Sequence, residues 1–422
     1  MADLPGGLTI RPMRADDDLD AELDLRHRSF GPMSSDARAY WRAELVDCVQ
    51  TGRQFGVWDG GQLLGAARYN DMRQYWHGRA VPMAGVGGVK VAPEARGRGV
   101  GRALMSALLT ALAEQGFALS VLYPATAQIY RSLGWELAGG NYRAEVPGRS
   151  LGSLLPPDPQ LSDDQAGQPG RPGHADAAPA ITRAGPEDAE RVIATVGAVH
   201  AAALDCGPAT RDAASVRRWL ADPDMFFYLS EDGFLGYRWH GDTSKAILIE
   251  ILQAGSARTV TALWRIVASH SSVAEVVYAM TGPADPVSWL TREPDVGVRR
   301  LRHWMLRVID PAAAVAGRGF PATARAQVAL RLTDANLPGN AGRYTLAVSG
   351  GLGTLIRDGT GRTATSPASS PVTLGPRGFA ALYAGLPMAT LRVAGLAAGG
   401  DREADAALDS VFGAQSFLLD YF

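Results

Sequence analysis

A run of alternating arginines and glycines carries the clearest chemical signal in this sequence. It reads RGRGVGR over residues 96–102 and follows a valine- and glycine-rich run that ends at Val91. Apolar residues then recur at helical spacing, at Leu104, Leu108, Ala111 and Leu112. Glycines let successive backbone N–H groups point at one anion, a helix N-terminus adds about half a unit of positive charge, and arginines add cations. The sequence therefore predicts a pyrophosphate cradle between a strand and a helix.

Two other functions of glycine-rich loops do not fit this run. A P-loop requires Gly-Lys followed by Ser or Thr, whereas Val100-Gly101-Arg102 stands here. A dinucleotide fingerprint requires Gly-x-Gly-x-x-Gly, whereas the spacing here is Gly97-x-Gly99-x-Gly101. A turn that binds no ligand is the remaining alternative, and the loop alone does not decide between a turn and a cradle.

A candidate proton donor follows in the next segment. Residues 118–122 are predicted as a strand and residues 124–132 as a short helix that leads into the run IYRSLGW. This run contains Tyr130. A phenol can give a proton to a leaving thiolate, whose conjugate acid has a pKa of about 8.5. A tyrosine that only packs in the core is the alternative.

The spacing Arg96-x-x-Gly99-x-Gly101 after a valine-rich strand resembles the acetyl-CoA motif of the GCN5-related N-acetyltransferase (GNAT) superfamily. The resemblance implies a bulge in the valine strand, whose main-chain N–H groups pair with the pantetheine arm and polarise the thioester carbonyl. It also implies that Tyr130 faces the coenzyme sulfur. The residues that it assigns to acetyl-CoA binding are Val89, Lys90, Val91, Arg96, Gly97, Arg98, Gly99, Val100, Gly101, Arg102, Ala125 and Thr126.

The layout of the whole chain resembles the enhanced intracellular survival (Eis) family of actinobacterial GNAT enzymes. Members have a catalytic GNAT domain, a second GNAT-like domain and a C-terminal domain similar to sterol carrier proteins. The resemblance implies acetyl-CoA as co-substrate, aminoglycosides and lysine side chains as amine acceptors, and a homo-oligomer, a hexamer in relatives. It also implies that the terminal carboxylate of Phe422 is the catalytic base. A chain end that packs only for stability is the alternative.

The same resemblance places an aromatic ring and acids in the acceptor pocket, at Trp41, Asp24, Asp420 and Glu22. Two positions depart from the family pattern. The run GPM at residues 31–33 stands where relatives carry an acid, and Tyr421 stands where relatives carry an acid next to the last residue. Both departures leave the acceptor open, and a narrower acetyltransferase of one protein or metabolite is a further alternative.

A change of composition divides the chain. Residues 151–180 are rich in proline, glycine, aspartate and alanine, which predicts a linker or a long surface loop. A short strand, an acidic helix start, an apolar helix and a hairpin recur on both sides of it. The second repeat lacks paired glycines at residues 253–259, so no second pyrophosphate site is expected. We predict a catalytic GNAT domain at residues 1–150 and a degenerate one at residues 181–300.

The last part of the chain has a different pattern. Strand-like runs at residues 304–309, 326–332, 344–348 and 353–357 precede helical runs at 376–384 and 402–412. This order predicts a separate α+β domain at residues 301–422, which the resemblance identifies as sterol-carrier-protein-like. The expected fold class is therefore α+β, with two tandem GNAT-like domains of mixed sheet and this third domain.

Composition excludes several function classes. The 422 residues include 41 Lys and Arg and 43 Asp and Glu, a balance that does not support nucleic-acid binding. Two cysteines and seven scattered histidines predict neither a disulfide framework nor a metal site. The sequence shows no signal-peptide pattern and no apolar run near the roughly 20 residues of a membrane span, so a cytoplasmic location is expected.

A non-catalytic protein is the alternative to an enzyme. Such a protein would sense coenzyme A through its GNAT part and bind a lipid through its apolar C-terminal domain. Amine-dependent release of thiol from acetyl-CoA separates the two hypotheses.

Overall fold

The computed structural model describes residues 7–152, 154, 179–241, 245–359, 370–420 and 422. Most of the predicted linker at 151–180, and Tyr421, lie outside the described residues. Strands and helices are numbered in chain order. None of the helices in these ranges is long and apolar enough to cross a bilayer.

The first part of the chain begins with the predicted strand and helix, and a second helix that was not predicted follows them. Asp18 starts the first helix, because its carboxylate accepts hydrogen bonds from the N–H groups of Asp20 and Ala21. The strands of this part are β1 (Leu8–Pro12), β2 (Gln54–Asp59), β3 (Gln62–Trp76), β4 (Arg79–Val91), β5 (Leu119–Leu122) and β6 (Glu136–Pro147). The helices are α1 (Leu19–Phe30), α2 (Ser35–Gln50), α3 (Val100–Glu114), α4 (Ala127–Ser132) and α5 (Gly148–Leu151).

The second part repeats this order. Its strands are β7 (Thr182–Arg183), β8 (Cys206–Arg211), β9 (Phe226–Leu229), β10 (Gly233–His240), β11 (Ala246–Ala254), β12 (Val276–Thr281) and β13 (Gly297–Val308). Its helices are α6 (Ala189–Ala202), α7 (Ala213–Leu220), α8 (Ala257–Ala268) and α9 (Val287–Leu290). In each part a helix joins two parallel strands, β4–α3–β5 in the first and β11–α8–β12 in the second.

The two parts share one 14-stranded mixed sheet. Antiparallel pairing of β6 with β12, and of β3 with β8, joins them. Strand β13 of the second part lies between β5 and β6 of the first. The assignment of the run at 304–309 to the C-terminal domain is therefore wrong. Trp304, Met305 and Leu306 are fully buried in the large sheet, and a short apolar run does not reveal which sheet it joins.

The third part packs helices on a five-stranded sheet. Its strands are β14 (Ala326–Leu332), β15 (Gly342–Ser349), β16 (Leu352–Arg357), β17 (Val372–Leu374), β18 (Ala397–Gly399) and β19 (Phe417–Leu418). Its helices are α10 (Pro311–Gly317), α11 (Pro376–Tyr383), α12 (Met388–Val393) and α13 (Arg402–Phe412). The small sheet has the order β16-β15-β14-β17-β18, whereas β19 leaves it and pairs with β6 of the large sheet.

Candidate functional site

A gap opens in the large sheet where β4 and β5 stop pairing. The two parallel strands pair up to Val86 and Leu122. Strand β5 ends there, whereas β4 continues to Val91. The last five residues of β4 therefore face the gap without β5 beside them. Main-chain groups along such an edge can bind an extended ligand in the way that they would bind another strand.

A β-bulge interrupts β4 beside this gap. Arg68 of β3 pairs with Gly87, but Ala66 pairs with Lys90, so that Gly88 and Val89 together oppose one residue of β3. Gly88 has a φ of +59°, a left-handed conformation that a residue without Cβ adopts at little cost. Bulges re-aim the main chain and are common next to active sites. The bulge predicted for the valine strand is present.

The glycine loop forms an open turn before α3. Gly97 and Gly99 have φ values of +78° and +80°, and a Cβ placed at either one would have no atom within 4 Å. Gly99 precedes the first residue of α3, and no side chain caps the N–H groups of that first turn. Free N–H groups at the start of a 15-residue helix suit a phosphate. The residues present therefore fit the pyrophosphate of acetyl-CoA.

The other residues of the loop have different surroundings. Arg98 lies 3.0 Å from a carboxylate oxygen of Asp59, whereas Arg96 and Arg102 are exposed. A Cβ at Gly101 would lie 3.2 Å from Ile129 and 3.3 Å from Val91, so this glycine allows α3 to approach β4 and α4 closely.

Side chains of β4 point to opposite faces of the sheet. Val89 and Val91 pack against the apolar cluster under α3. Lys90 points the other way, to α1, where its Nζ lies 2.5 Å from an Oε atom of Glu22. Both side chains are buried, and burial lowers the pKa of Lys90 although Glu22 opposes that shift. Lys90 can therefore meet a ligand in the gap only through its main chain.

Tyr130 is buried on α4, with 6 % of its surface exposed. Burial raises the pKa of its phenol to about 12. Its hydroxyl forms no hydrogen bond with another residue in the described ranges. Helix α4 begins at Ala127 rather than at residue 124, because Thr126 has an extended backbone. Ala125 and Thr126 lie exposed before the helix.

The end of the chain is held beside this gap. Strand β19 runs parallel to β6, and the Nδ2 of Asn141 donates hydrogen bonds to the carbonyl oxygens of Leu418 and Leu419, at 3.0 and 3.2 Å. The Tyr123 hydroxyl donates to the carbonyl oxygen of Asp420 at 2.5 Å. Tyr123 follows the last residue of β5, so these bonds fix the chain end at the mouth of the gap.

Phe422 lies against the glycines of β4. A Cβ at Gly85 would lie 2.8 Å from its ring, and a Cβ at Gly87 would lie 3.1 Å from its carboxyl carbon. The ring also makes an edge contact with Tyr123, with centroids 5.7 Å apart. The two glycines thus leave room for the last residue, and its carboxyl group lies next to the bulge at Gly88. The close neighbour of these strand glycines is thus part of the chain itself.

The predicted acceptor residues do not all meet. Trp41 lies near the bulge, with the guanidinium groups of Arg26 and Arg68 over its ring at 3.5 and 4.9 Å from the centroid. Asp24 does not join this group. It is two residues from Arg26 on α1, which turns it to the other side of the helix, where it pairs with Arg28 at 2.8 Å.

Asp420 also has a basic partner, since its carboxylate lies 3.5 Å from the guanidinium group of Arg211 on β8. Arg26 and Arg68 are site residues that the sequence analysis missed. They lie 42 positions apart on α1 and β3, and nothing in their local sequence marks them; only the packing of α1 against the bulge brings them together.

Comparison with known proteins agrees with this architecture. Residues 9–138 and 207–308 each match an acetyltransferase (GNAT) domain family, and residues 311–418 match a sterol carrier protein domain family. The predicted fold class is therefore confirmed. The chain is 39% identical to a GCN5-related N-acetyltransferase from Kribbella flavida, with a TM-score of 0.85 and 98% of each chain covered.

Two sequence relatives point the same way. An uncharacterized N-acetyltransferase of Streptomyces avermitilis is 28% identical over 82% of this chain and 84% of that protein. The N-acetyltransferase Eis of Mycobacterium tuberculosis is 24% identical over 69% of this chain and 70% of that protein.

Proposed function

The chain belongs to the GCN5-related N-acetyltransferase family and is an N-acetyltransferase, and we propose that it moves the acetyl group of acetyl-CoA onto a primary amine in the gap between β4 and β5. The similarity to Eis confirms the predicted relationship to that family. A non-catalytic coenzyme A sensor is thereby disfavoured.

One observation carries the proposal. The β4 bulge at Gly88 and Val89 lies between an anion-binding helix start on one side and the carboxyl group of Phe422 on the other. The donor and a base can therefore reach the same point of the sheet. We assign the pyrophosphate of acetyl-CoA to the loop at residues 96–102 and its pantetheine arm to the free edge of β4.

In the first step the amine nitrogen attacks the thioester carbon. A C–N bond forms, and the carbonyl oxygen gains negative charge. Main-chain N–H groups at the bulge would stabilise that oxyanion, a contribution that is often the largest single term in acyl transfer. In a chain that ends at Phe422, the terminal carboxylate then accepts the proton that the amine loses, directly or through a water molecule.

In the second step the C–S bond breaks, and coenzyme A leaves as a thiolate. Tyr130 would face this sulfur. Since its pKa is about 12 and that of a thiol is about 8.5, full proton transfer from the phenol is unfavourable in the free enzyme. Tyr130 therefore acts as a hydrogen-bond donor to the sulfur, and this refines the expectation that it hands over its proton.

A C-terminal extension tests the role of Phe422. Two added residues should abolish acetyl transfer and largely preserve the equilibrium binding of acetyl-CoA, because the glycine loop assigned to the pyrophosphate is built from the first part of the chain alone. The matched control is the same extended chain after its added residues have been cut off directly behind Phe422, which restores Phe422 as the last residue. Full turnover by the extended chain would show that the carboxylate is not the base.

Mass spectrometry of the acetylated products tests which amines are acceptors. The panel contains aminoglycosides and lysine peptides, which the resemblance to Eis implies as acceptors, and small amines. Two other implications stay predictions: a homo-oligomer, by analogy a hexamer, and a cytoplasmic location. Analytical ultracentrifugation of the purified chain measures the first.

A further inference from the structure

We propose that the acceptor amine carries a carboxylate or a similar anionic group close to its amino group, and that Arg26 and Arg68 bind that group. The proposal rests on the acetyl-transfer function and names the acceptor class of the same site.

The two arginines stand directly beside the bulge. A Cβ placed at Gly88 would lie 3.7 Å from Cγ of Arg68, 3.9 Å from Nη1 of Arg26 and 3.8 Å from Nζ of Lys90. The bulge is where the thioester carbonyl is assigned, so an attacking amine must lie within about 3–3.5 Å of it. A group one or two bonds from that amine is then close to Nη1 of Arg26 and to the side chain of Arg68, whose guanidinium group lies over Trp41.

Arg68 is held in place with one donor unused. Its Nη1 lies 3.3 Å from Glu44, and its guanidinium group lies over the ring of Trp41. Its Nε is buried, and no group in the described ranges accepts a hydrogen bond from it. A buried donor without a partner is unfavourable, and an acceptor on a ligand would relieve that cost. Arginine is the side chain best suited to a planar carboxylate.

The acids around this pocket already have basic partners. The pairs are Glu22 with Lys90 at 2.5 Å, Glu44 with Arg218 at 2.7 Å and with Arg68 at 3.3 Å, and Asp420 with Arg211 at 3.5 Å. A polycation would have to compete with an internal arginine or lysine for each of these carboxylates. At Arg68 an anion competes with Glu44 for Nη1 but not for Nε, which has no acceptor in the described ranges.

Groups of opposite charge face two adjacent residues of β4, and each could pair with one charge of a zwitterion. Gly87 faces the carboxyl group of Phe422, and Gly88 faces Arg26 and Arg68. Their Cα atoms are about 3.8 Å apart, as in any trans peptide, so the two surroundings are neighbours along the strand. The site therefore places the amine beside the base and the anion beside the arginines.

Matched pairs of acceptors test this inference. Each pair is an amino acid and the amine left by removing its carboxyl group: phenylalanine and 2-phenylethylamine, lysine and cadaverine, alanine and ethylamine. Kanamycin and spermidine represent polycations. We expect kcat/KM for acetyl transfer to be at least tenfold higher for the carboxylate member of the best pair than for its twin and for either polycation.

Substitution of the arginines provides the second test. Arg68→Gln should lower kcat/KM for the carboxylate member at least tenfold and leave the twin within threefold. Arg26→Gln is the second variant, in case loss of the Glu44 contact unfolds the first. Arg28→Gln is the matched control, because that side chain is exposed on the same helix and pairs away from the bulge.

The outcomes separate the two proposals. If a decarboxylated twin or a polycation is the best acceptor, the arginine proposal is wrong and the acetyl-transfer function stands. If no amine is acetylated, the proposed function fails. Calorimetric titration of the coenzyme A complex with both members of each pair then tests the anion site by itself. Tenfold tighter binding of the carboxylate member, lost in Arg68→Gln, would support the anion site. Equal binding, or no binding, would overturn it.

Discussion

Gly87→Ala should displace the carboxyl group of Phe422. The new Cβ would lie 3.1 Å from the carboxyl carbon and 3.2 Å from its oxygen, whereas carbon atoms in ordinary contact are about 3.5–4.0 Å apart. The carboxyl group must therefore retreat by about 0.4–0.9 Å. A misplacement of about 1 Å in a reacting group can lower the rate 100-fold, so we expect kcat to fall about 10- to 100-fold, or about 1.4–2.7 kcal/mol in activation free energy.

Steady-state kinetics and acetyl-CoA binding measure the two parts of the site separately. In Gly87→Ala the dissociation constant for acetyl-CoA should stay within threefold, because the new methyl group points at Phe422, whereas the pantetheine arm is assigned to main-chain groups of β4. Gly61→Ala is the matched control: it also adds one methyl group to a glycine of the first part, but no atom lies within 4 Å of the new Cβ. Its kcat should equal that of the unmodified chain.

Deletion of Phe422 shows whether Gly87→Ala acts through the last residue. If it does, the two changes are not additive, and Gly87→Ala in the shortened chain should lower kcat by less than twofold. A further tenfold loss in that background would mean that the methyl group disturbs the donor instead. An unchanged kcat in the full-length variant would refute the assignment of the base.

Three further predictions concern neighbouring residues. Lys90→Met leaves Glu22 charged and buried and should lower the free energy of unfolding by about 3–5 kcal/mol in urea titrations, whereas Lys90→Met with Glu22→Leu should recover most of it. Tyr130→Phe should lower kcat about 10- to 100-fold. Burial raises the pKa of Tyr130 to about 12, so the phenol is protonated below that pH and the loss should be constant from pH 7 to 9; a loss that vanishes by pH 9 would contradict this. Gly99→Ala strains a φ of +80° and should raise KM for acetyl-CoA at least fivefold, with kcat nearly unchanged.

The donor half of the site could be predicted because its parts are neighbours in sequence. The bulge, the glycine loop and the start of α3 fall within residues 87–101, so that spacing alone constrains their geometry. Glycine is needed at Gly97 and Gly99 for left-handed turns, and this need is visible in the sequence. Gly101 shows the limit of such reasoning, since it permits helix packing rather than a turn.

The acceptor half could not be predicted in the same way. Arg26, Trp41 and Arg68 lie on three elements, and their contacts depend on how α1 and α2 cross the sheet. Asp24 was expected in the pocket from the resemblance, yet helical geometry turns it away. The insertion of β13 between β5 and β6 is a pairing between distant segments, and such pairing leaves little trace in a local pattern.

With the Phe422 carboxylate as the proposed base, catalysis depends on all three parts of the chain. The last segment leaves the third part, pairs with β6 of the first through β19, and places Asp420 against Arg211 of the second. The glycine loop, by contrast, is built from the first part alone. A change that loosens the third part without unfolding the first should therefore reduce turnover and leave acetyl-CoA binding intact. The proposed roles thus make donor binding and acetyl transfer separable, because only transfer is assigned to the far end of the chain.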